Sequence, residues 1–262
     1  MIRLEDAGVS KSENITHIAN LSPAYVFDFE NISHTVRTII TSGHRRIPVV
    51  TKEDNLVGIL TYTDILDSLL RGLTRNTQVS TFMTRQVVYC DEKENIGSAL
   101  QKMMISKRGG MPILKNTKLI GIVSERDFIR MISRKYFEMQ VKEAMTYKPF
   151  YIAPNTSIKN CMKAMVNTHY RRLPIVEHKE VIGIITGIDI LRFINNVNYN
   201  SVLLNENISQ IMSTPVRYVT EHDDIADVVK IILEENIGGL PVINENNALK
   251  GIITERDIIK LL

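Results

Sequence analysis

Leu56-Val57-Gly58-Ile59-Leu60-Thr61-Tyr62-Thr63-Asp64 returns three more times along the chain. The copies are Leu119-Ile120-Gly121-Ile122-Val123-Ser124-Glu125-Arg126-Asp127, Val181-Ile182-Gly183-Ile184-Ile185-Thr186-Gly187-Ile188-Asp189 and Leu249-Lys250-Gly251-Ile252-Ile253-Thr254-Glu255-Arg256-Asp257. In each copy a hydroxyl residue follows the glycine by three positions and an aspartate follows the hydroxyl by three. Repetition at this period is the mark of an array of similar modules.

The register extends outward from that stretch. Each repeat opens on a small polar residue (Asn20, Thr84, Thr146, Ser213), with a tyrosine five positions later (Tyr25, Tyr89, Tyr151, Tyr218). Seven beyond the tyrosine stands an isoleucine (Ile32, Ile96, Ile158, Ile225), and twenty-three beyond it a proline (Pro48, Pro112, Pro174, Pro241). The isoleucine opens a helical pattern: Ile32, Val36, Ile39 and Ile40, or Ile225, Val228, Val229 and Ile232, fall on one face. Thr156 and Asp223 are candidate caps ahead of such helices. The proline-bearing runs at 46–50 and 239–243 read as strands, with polar turns at 51–55 and 244–247 before the glycine-bearing strand. Thr-x-x-Asp then starts a second helix, so each repeat reads as strand, helix, strand, strand, helix, an α/β (α+β) class.

Proline spacing gives repeats of 62 to 67 residues, small for independent stability, so pairing is expected. The boundaries read as an arm at 1–17, polar and unpatterned, and repeats at 18–72, 79–135, 140–196 and 207–262. A charged stretch at 139–143 divides the chain into halves of two repeats each, and the asparagine-rich 195–207 reads as a loop. The repeats also alternate. The first and third carry Arg45-Arg46 and Arg171-Arg172 before the proline; the second and fourth carry Gly109-Gly110 and Gly238-Gly239 there, and Glu-Arg-Asp before the second helix.

The chain of 262 residues is 44% hydrophobic and 23% charged, ordinary for a globular protein, and its net charge of +3 is too small to imply nucleic-acid binding. No leader-like apolar core stands at the N-terminus and no run suits a membrane span, so a cytoplasmic location is expected, with Cys90 and Cys161 as buried thiols. Nucleotide-hydrolase, dinucleotide and zinc-protease motifs are absent, no nucleophile–base pair suggests itself, and neither catalysis, a catalytic cofactor nor a metal is expected.

With these motifs in place, the chain resembles four tandem CBS domains, the modules named after cystathionine β-synthase. The resemblance rests on the four x-Leu/Ile-Pro-Val/Ile, Leu/Ile-x-Gly-Ile-Ile and Thr/Ser-x-x-Asp sets and covers about residues 18–262. Four such domains with no enzyme domain are similar to archaeal four-CBS proteins and to the γ subunit of AMP-activated protein kinase. The resemblance implies two pseudo-twofold pairs, able to stack into a flat disk, with adenosine ligands (AMP, ADP or ATP) in clefts between paired domains.

The site residues have two readings each. Thr61, Ser124, Thr186 and Thr254 with Asp64, Asp127, Asp189 and Asp257 form capping boxes on one reading; on the other the aspartates accept from a ribose diol, and the two are compatible. Arg45, Arg46, Arg171 and Arg172 are either solvated charge or phosphate partners, the guanidinium fork matching phosphate oxygens. Arg126 and Arg256 are further phosphate contacts or simple surface charge, and His44 and His169 lie close to the doublets. By the resemblance, the adenine pocket is lined around Asn20 and Tyr25 and around Thr146, Pro149 and Tyr151, although core packing suits the tyrosines equally. The resemblance also sets Asp127 with Arg45 and Arg46, and Asp257 with Arg171 and Arg172, as the strong clefts. The function expected is a non-catalytic adenine-nucleotide sensor that passes its state to a regulated partner protein, with a homodimer open to it and no nucleic-acid or membrane role. A ligand-free oligomerisation scaffold and an S-adenosylmethionine sensor are the alternatives; the doubled arginines count against the latter, whose ligand has no phosphate.

Overall fold

The computed structural model describes residues 10–132 and 139–262. The first nine residues of the expected arm and the 133–135 end of the second repeat lie outside the described residues.

Repeat one runs β1 (Val26–Phe27), α1 (Ile32–Ser42), β2 (Arg46–Val50), β3 (Leu56–Thr61) and α2 (Tyr62–Leu70). Repeat two runs β4 (Cys90–Asp91), α3 (Ile96–Ser106), β5 (Gly110–Lys115), β6 (Lys118–Ser124) and α4 (Glu125–Ile132). Repeat three follows with β7 (Thr146–Tyr147), α5 (Ile158–Thr168), β8 (Arg172–Glu177), β9 (Glu180–Thr186) and α6 (Gly187–Asn196). Repeat four closes the chain with β10 (Val219–Thr220), α7 (Ile225–Glu234), β11 (Gly239–Ile243), β12 (Leu249–Thr254) and α8 (Glu255–Ile259). The four isoleucines at the predicted helix starts are the first helical residues, and the buried Ile32, Val36 and Ile39 confirm the period on α1. The caps are one residue later than Thr156 and Asp223. Ser157 caps α5 by accepting from the Asn160 amide, and Asp224 is the N-cap position of α7, because the amide of Thr220 draws Asp223 into a turn instead.

In each repeat the proline strand pairs antiparallel with the glycine strand: Pro48 faces Ile59, Pro112 faces Ile122, Pro174 faces Ile184 and Pro241 faces Ile252. The strand ahead of the first helix adds in parallel, β1 on β2, β4 on β5, β10 on β11, and Ile152 on Ile175 as a single bridge. The other edge of the glycine strand takes a lead-in segment from the neighbouring repeat. Asn20 bridges to Ile122, Thr84 to Ile59, Ser213 to Ile184, and β7 pairs with β12. This strand exchange therefore runs between neighbours, repeat one with two and three with four.

The apolar cores follow the alternation instead. The described chain divides into two compact units: unit one is Met1–Pro23, Val88–Pro149 and Arg217–Leu262, and unit two is Ala24–Val87 and Phe150–Val216. Unit one joins the helices of repeats two and four, α4 packing on α8 and α7, around a core that includes Phe128, Ile129, Ile232 and Ile258. Unit two joins those of repeats one and three, α2 on α5 and α6 and α1 on α6, around Ile39, Leu66, Met165 and Leu191. The repeats alike in sequence thus share a core.

Two expectations change. The arm is ordered over residues 10–17: Ile15 is fully buried in unit one within the 3₁₀ turn Ile15–His17, where the Asn14 side chain accepts from the Thr16 amide. Val79, Val141 and Ile208 occupy the same place five residues before Thr84, Thr146 and Ser213 and are also fully buried. Within the stretch 139–143, Val141 is buried in unit one, and the Ile225 amide donates to the Met139 carbonyl. A single aliphatic among polar neighbours has no periodicity, which hides it in the sequence. The 195–207 segment is a helix end and a 3₁₀ helix, Ser201–Asn205, rather than plain loop. Cys90 and Cys161 are buried free thiols, and burial pushes each up to about 12.

Candidate ligand site

The site is built where the glycine strand meets the second helix. In all four repeats the hydroxyl residue ends the strand and the aspartate lies in the first helical turn, and both backbone and hydroxyl of the former donate to one oxygen of the latter. The Asp64 Oδ2 accepts from the Thr61 amide at 2.7 Å and hydroxyl at 2.8 Å. The corresponding pairs of distances are 2.7 and 2.7 Å for Ser124–Asp127, 2.9 and 2.6 Å for Thr186–Asp189, and 3.1 and 2.6 Å for Thr254–Asp257. The capping box is complete in repeats one, three and four, in repeat two Asp127 accepts from Ser124 in the same way, and in each copy these bonds use Oδ2. The second oxygen, Oδ1, points away from the cap. In repeats two, three and four a cation one turn on reaches it: Arg130 at 3.0 Å, Arg192 at 3.6 Å and Lys260 at 3.0 Å.

Asp127 and Asp257 are the most enclosed of the four, 6% and 5% exposed. Burial raises the Asp127 pKa above its ordinary value, against the opposing pull of the Ser124 hydrogen bonds and of Arg130 and Arg126.

The lead-in segment lies directly on this strand edge. The Asn20 amide donates to the Ile122 carbonyl at 3.0 Å and accepts the reverse bond at 2.9 Å through its own carbonyl. Thr146 faces Ile252, and its hydroxyl stands 3.4 Å from Asp257 Oδ1. This is why the motif has glycine: a Cβ on Gly251 would meet Met145 Sδ at 2.6 Å and the Thr146 carbonyl at 3.0 Å, and one on Gly121 would meet the Asn20 carbonyl and Leu21 Cδ2 at 3.1 Å. Sequence, close approach and site are one chain of cause: only glycine lets the lead-in backbone reach the strand beside the aspartate.

The tyrosines are not core. Tyr25, Tyr89, Tyr151 and Tyr218 are 42%, 47%, 55% and 48% exposed, and the residue after each (Val26, Cys90, Ile152, Val219) is the buried one. The lead-in residues Asn20, Thr146 and Pro149 belong to unit one, as do Asp127 and Asp257, whereas Tyr25 and Tyr151 belong to unit two.

The arginine doublets sit in unit two, in the first and third repeats. Within each hairpin Arg46 is the register partner of Thr61, and Arg172 that of Thr186; Gly110 and Gly239 hold the same place opposite Ser124 and Thr254. Doublet and aspartate of one repeat are therefore neighbours in the cases of Asp64 and Asp189. The expected partnerships of Asp127 with Arg45 and Arg46, and of Asp257 with Arg171 and Arg172, join residues of different units and are not features of either unit alone. Sequence reading passed over Tyr62. It is buried, and its burial raises the phenol pKa while Arg171, Arg172 and Arg46 pull it down, so arginines of both repeats bring their charge to this ring. His169 is an exposed left-handed C-cap of α5.

Arg126 and Arg256 form ion pairs within unit one. Arg126 Nε donates to Glu255 Oε1 at 2.7 Å, and Arg256 Nε donates to Glu125 Oε1 at 2.6 Å. Arg126 also donates to the Asn236 side chain and the Ile237 carbonyl. Both glutamates are buried, so α4 and α8 cross through two reciprocal ion pairs. The cause is the Glu-Arg-Asp triplet itself, which puts complementary charges at the same turn of two facing helices. In unit two the equivalent position holds Tyr62 against Gly187, where a Cβ would lie 2.1 Å from the ring. A large residue over a small one replaces the charge pairs.

Among the described residues no group of three or more His, Cys, Asp or Glu side chains is placed to hold a metal ion, and no helix is long and apolar enough to cross a membrane.

The comparisons with known proteins bear on the same residues. The CBS domain model matches residues 15–71, 79–134, 141–196 and 208–262. Protein MJ1225 of Methanocaldococcus jannaschii is 30% identical over 261 residues, covering 90% of this chain and 93% of that protein. Its crystal structure, that of a candidate archaeal homologue of γ-AMPK, superposes with a TM-score of 0.88 at 28% identity, over 95% of this chain and 99% of that one. A 33.4 kDa protein from the ribosomal RNA operon of Thermofilum pendens is 25% identical over 257 residues, 88% of this chain and 85% of its own length. An uncharacterized conserved protein of Pyrococcus horikoshii shares the fold at a TM-score of 0.64 and 22% identity, over 95% of this chain and 99% of that one. CBS-domain proteins are generally regulatory rather than catalytic, and this chain belongs to the CBS-domain family, with four copies of the domain.

Proposed function

We propose that the chain is a non-catalytic regulatory protein that binds AMP, ADP or ATP, with Asp127 and Asp257 taking the ribose. The observation that carries this is the convergence in unit one of an outward carboxylate oxygen and a lead-in backbone. Thr146, laid on β12, stands 3.4 Å from Asp257 Oδ1, and Asn20 holds the matching place on β6 beside Ser124 and Asp127. A carboxylate oxygen suits a ribose hydroxyl, while Asn20, Thr146 and Pro149 offer backbone and side-chain groups to an adenine edge. Tyr25 and Tyr151, half exposed, are free of any core task and are proposed as apolar contacts of the base. Arg45, Arg46, Arg171 and Arg172 are the proposed phosphate partners. The planar guanidinium fork matches phosphate oxygens, which favours a phosphorylated ligand over S-adenosylmethionine. The neighbouring Asp64 and Asp189 form the lesser sites. Ligand binding would shift a conformational equilibrium by its difference in affinity for the two states, and a partner protein would read that shift.

Calorimetry with AMP, ADP, ATP and S-adenosylmethionine tests the reading. Asp257→Asn preserves the capping shape but turns the outer acceptor into a donor. Losing a charge-assisted hydrogen bond of about 1.5–3 kcal/mol should weaken nucleotide binding about tenfold or more. The nucleotides should be recovered intact after hours with stoichiometric protein. Binding of S-adenosylmethionine in preference to all three nucleotides, or of none of the four ligands, would overturn the assignment.

A further inference from the structure

The ribose carboxylates differ in a way that the repeat motif conceals. Each uses Oδ2 for the cap and turns its other oxygen, Oδ1, to a ligand, with the Thr146 hydroxyl also 3.4 Å from that of Asp257. In repeats two, three and four that oxygen is already engaged by the residue three positions on: Arg130 at 3.0 Å, Arg192 at 3.6 Å and Lys260 at 3.0 Å. Repeat one carries Asp67 at this place, and Arg71 holds that carboxylate at 2.6 Å. Among the described residues, Asp64 has no cation within ion-pair distance.

The three cationic side chains are 64%, 57% and 52% exposed while the aspartate side chains are only 7%, 14% and 6% exposed. A largely exposed head group thus stands on the solvent side of an enclosed acceptor. With its cation more than half exposed and screened by solvent, such a pair is weak, on the order of 1 kcal/mol, so a ligand hydroxyl can compete with it, and its strength falls with salt.

We propose that Arg130, Arg192 and Lys260 are latch residues: each engages the ligand-facing oxygen of Asp127, Asp189 or Asp257 and competes there with a ribose hydroxyl. They are positioning residues that compete with the ligand, and the Asp64 site is the one without a latch. The proposal rests on the ribose-binding reading above.

The test is calorimetry with adenosine, which has no phosphate to be screened, at about 50 and about 500 mM salt. It compares the native chain, an Arg130→Met/Arg192→Met/Lys260→Met variant that keeps the aliphatic stems, and a conservative Arg130→Lys/Arg192→Lys/Lys260→Arg swap. Adenosine should bind the methionine variant about two- to fivefold more tightly than the native chain at low salt. Native affinity should rise toward that value with salt while the methionine variant stays level, and the swap should behave as native. A merely structural role would move neither the salt profile nor its restoration by the swap. Native binding with no gain in the methionine variant would overturn the latch and leave the ribose reading standing; so would a loss of AMP affinity larger than that of adenosine, which would make the cations phosphate ligands. Absence of adenosine, AMP and S-adenosylmethionine binding from native and variant alike would overturn both.

Discussion

Replacing Arg126 by methionine isolates the reciprocal ion pairs of unit one. The Arg126 guanidinium is 15% exposed and stands 2.6 Å from Glu255 Oε1, whose side chain is 3% exposed. Methionine keeps most of the stem volume, so little of the loss is packing. What remains is an enclosed Glu255 carboxylate that has lost its ion pair with Arg126, together with an Asn236 side chain and an Ile237 carbonyl that lose a donor. Breaking a buried pair from one side costs about 3–5 kcal/mol, because the surviving charge stays desolvated. At 2–4 °C per kcal/mol for a domain of this size, the melting temperature should fall by about 6–20 °C. Removing both partners, as Arg126→Met with Glu255→Met, takes away the stranded charge. The double variant should recover most of that loss, since apolar replacements of buried pairs are often neutral or stabilising by about 1–4 kcal/mol. Thermal melts of the native chain, both single variants and the double variant complete the cycle. A single-variant cost below about 1 kcal/mol would show that the pair behaves as a solvated surface bridge, and the reasoning from burial would be refuted.

Gly251→Ala should push the lead-in off β12, because the new Cβ would lie 3.0 Å from the Thr146 carbonyl as well as 2.6 Å from Met145 Sδ. A melt should show a loss of about 1–3 kcal/mol, and adding Met145→Ala should restore only part of it, since the carbonyl contact persists. The pH response of Asp127 should run opposite to that of an ordinary capping carboxylate. Its folded pKa lies above the usual 3.8, so the folded chain holds this proton the more tightly; the associated stability is complete below about 3.8 and is lost as pH rises through the folded value. Denaturation from pH 3 upward should therefore show the native chain losing ground against Asp127→Asn with rising pH; a native chain that gains on the variant instead would contradict the raised pKa.

The alternation of the repeats now has a structural account. Repeats two and four share Glu-Arg-Asp and meet through crossed ion pairs; repeats one and three carry Tyr62 and Gly187 at that place and meet by a large residue over a small one. A mixed helix interface would forfeit these crossed ion pairs of Glu125 and Glu255. Each repeat is bound to its sequence neighbour through a lead-in strand and to its sequence double through its helices.

The sequence by itself determined the repeat, its helix starts, the proline and glycine strands, the capping aspartates and the family, because these depend on spacing along one segment. Ile32, Pro48, Gly58 and Asp64 have fixed offsets, and periodicity, turn chemistry and capping are local. The buried Ile15 and Val141, one aliphatic each among polar residues, gave no period to read. Which repeats share a core was written in Glu125-Arg126 and Tyr62, but those residues have no meaning until a facing helix supplies the opposite charge or the missing side chain. The same holds for the site. Asp257 is visible in the motif, but only strand pairing brings Thr146 to its Oδ1 across more than a hundred residues. Local chemistry is legible in one dimension; a partnership between distant residues exists only once tertiary packing has chosen which surfaces meet.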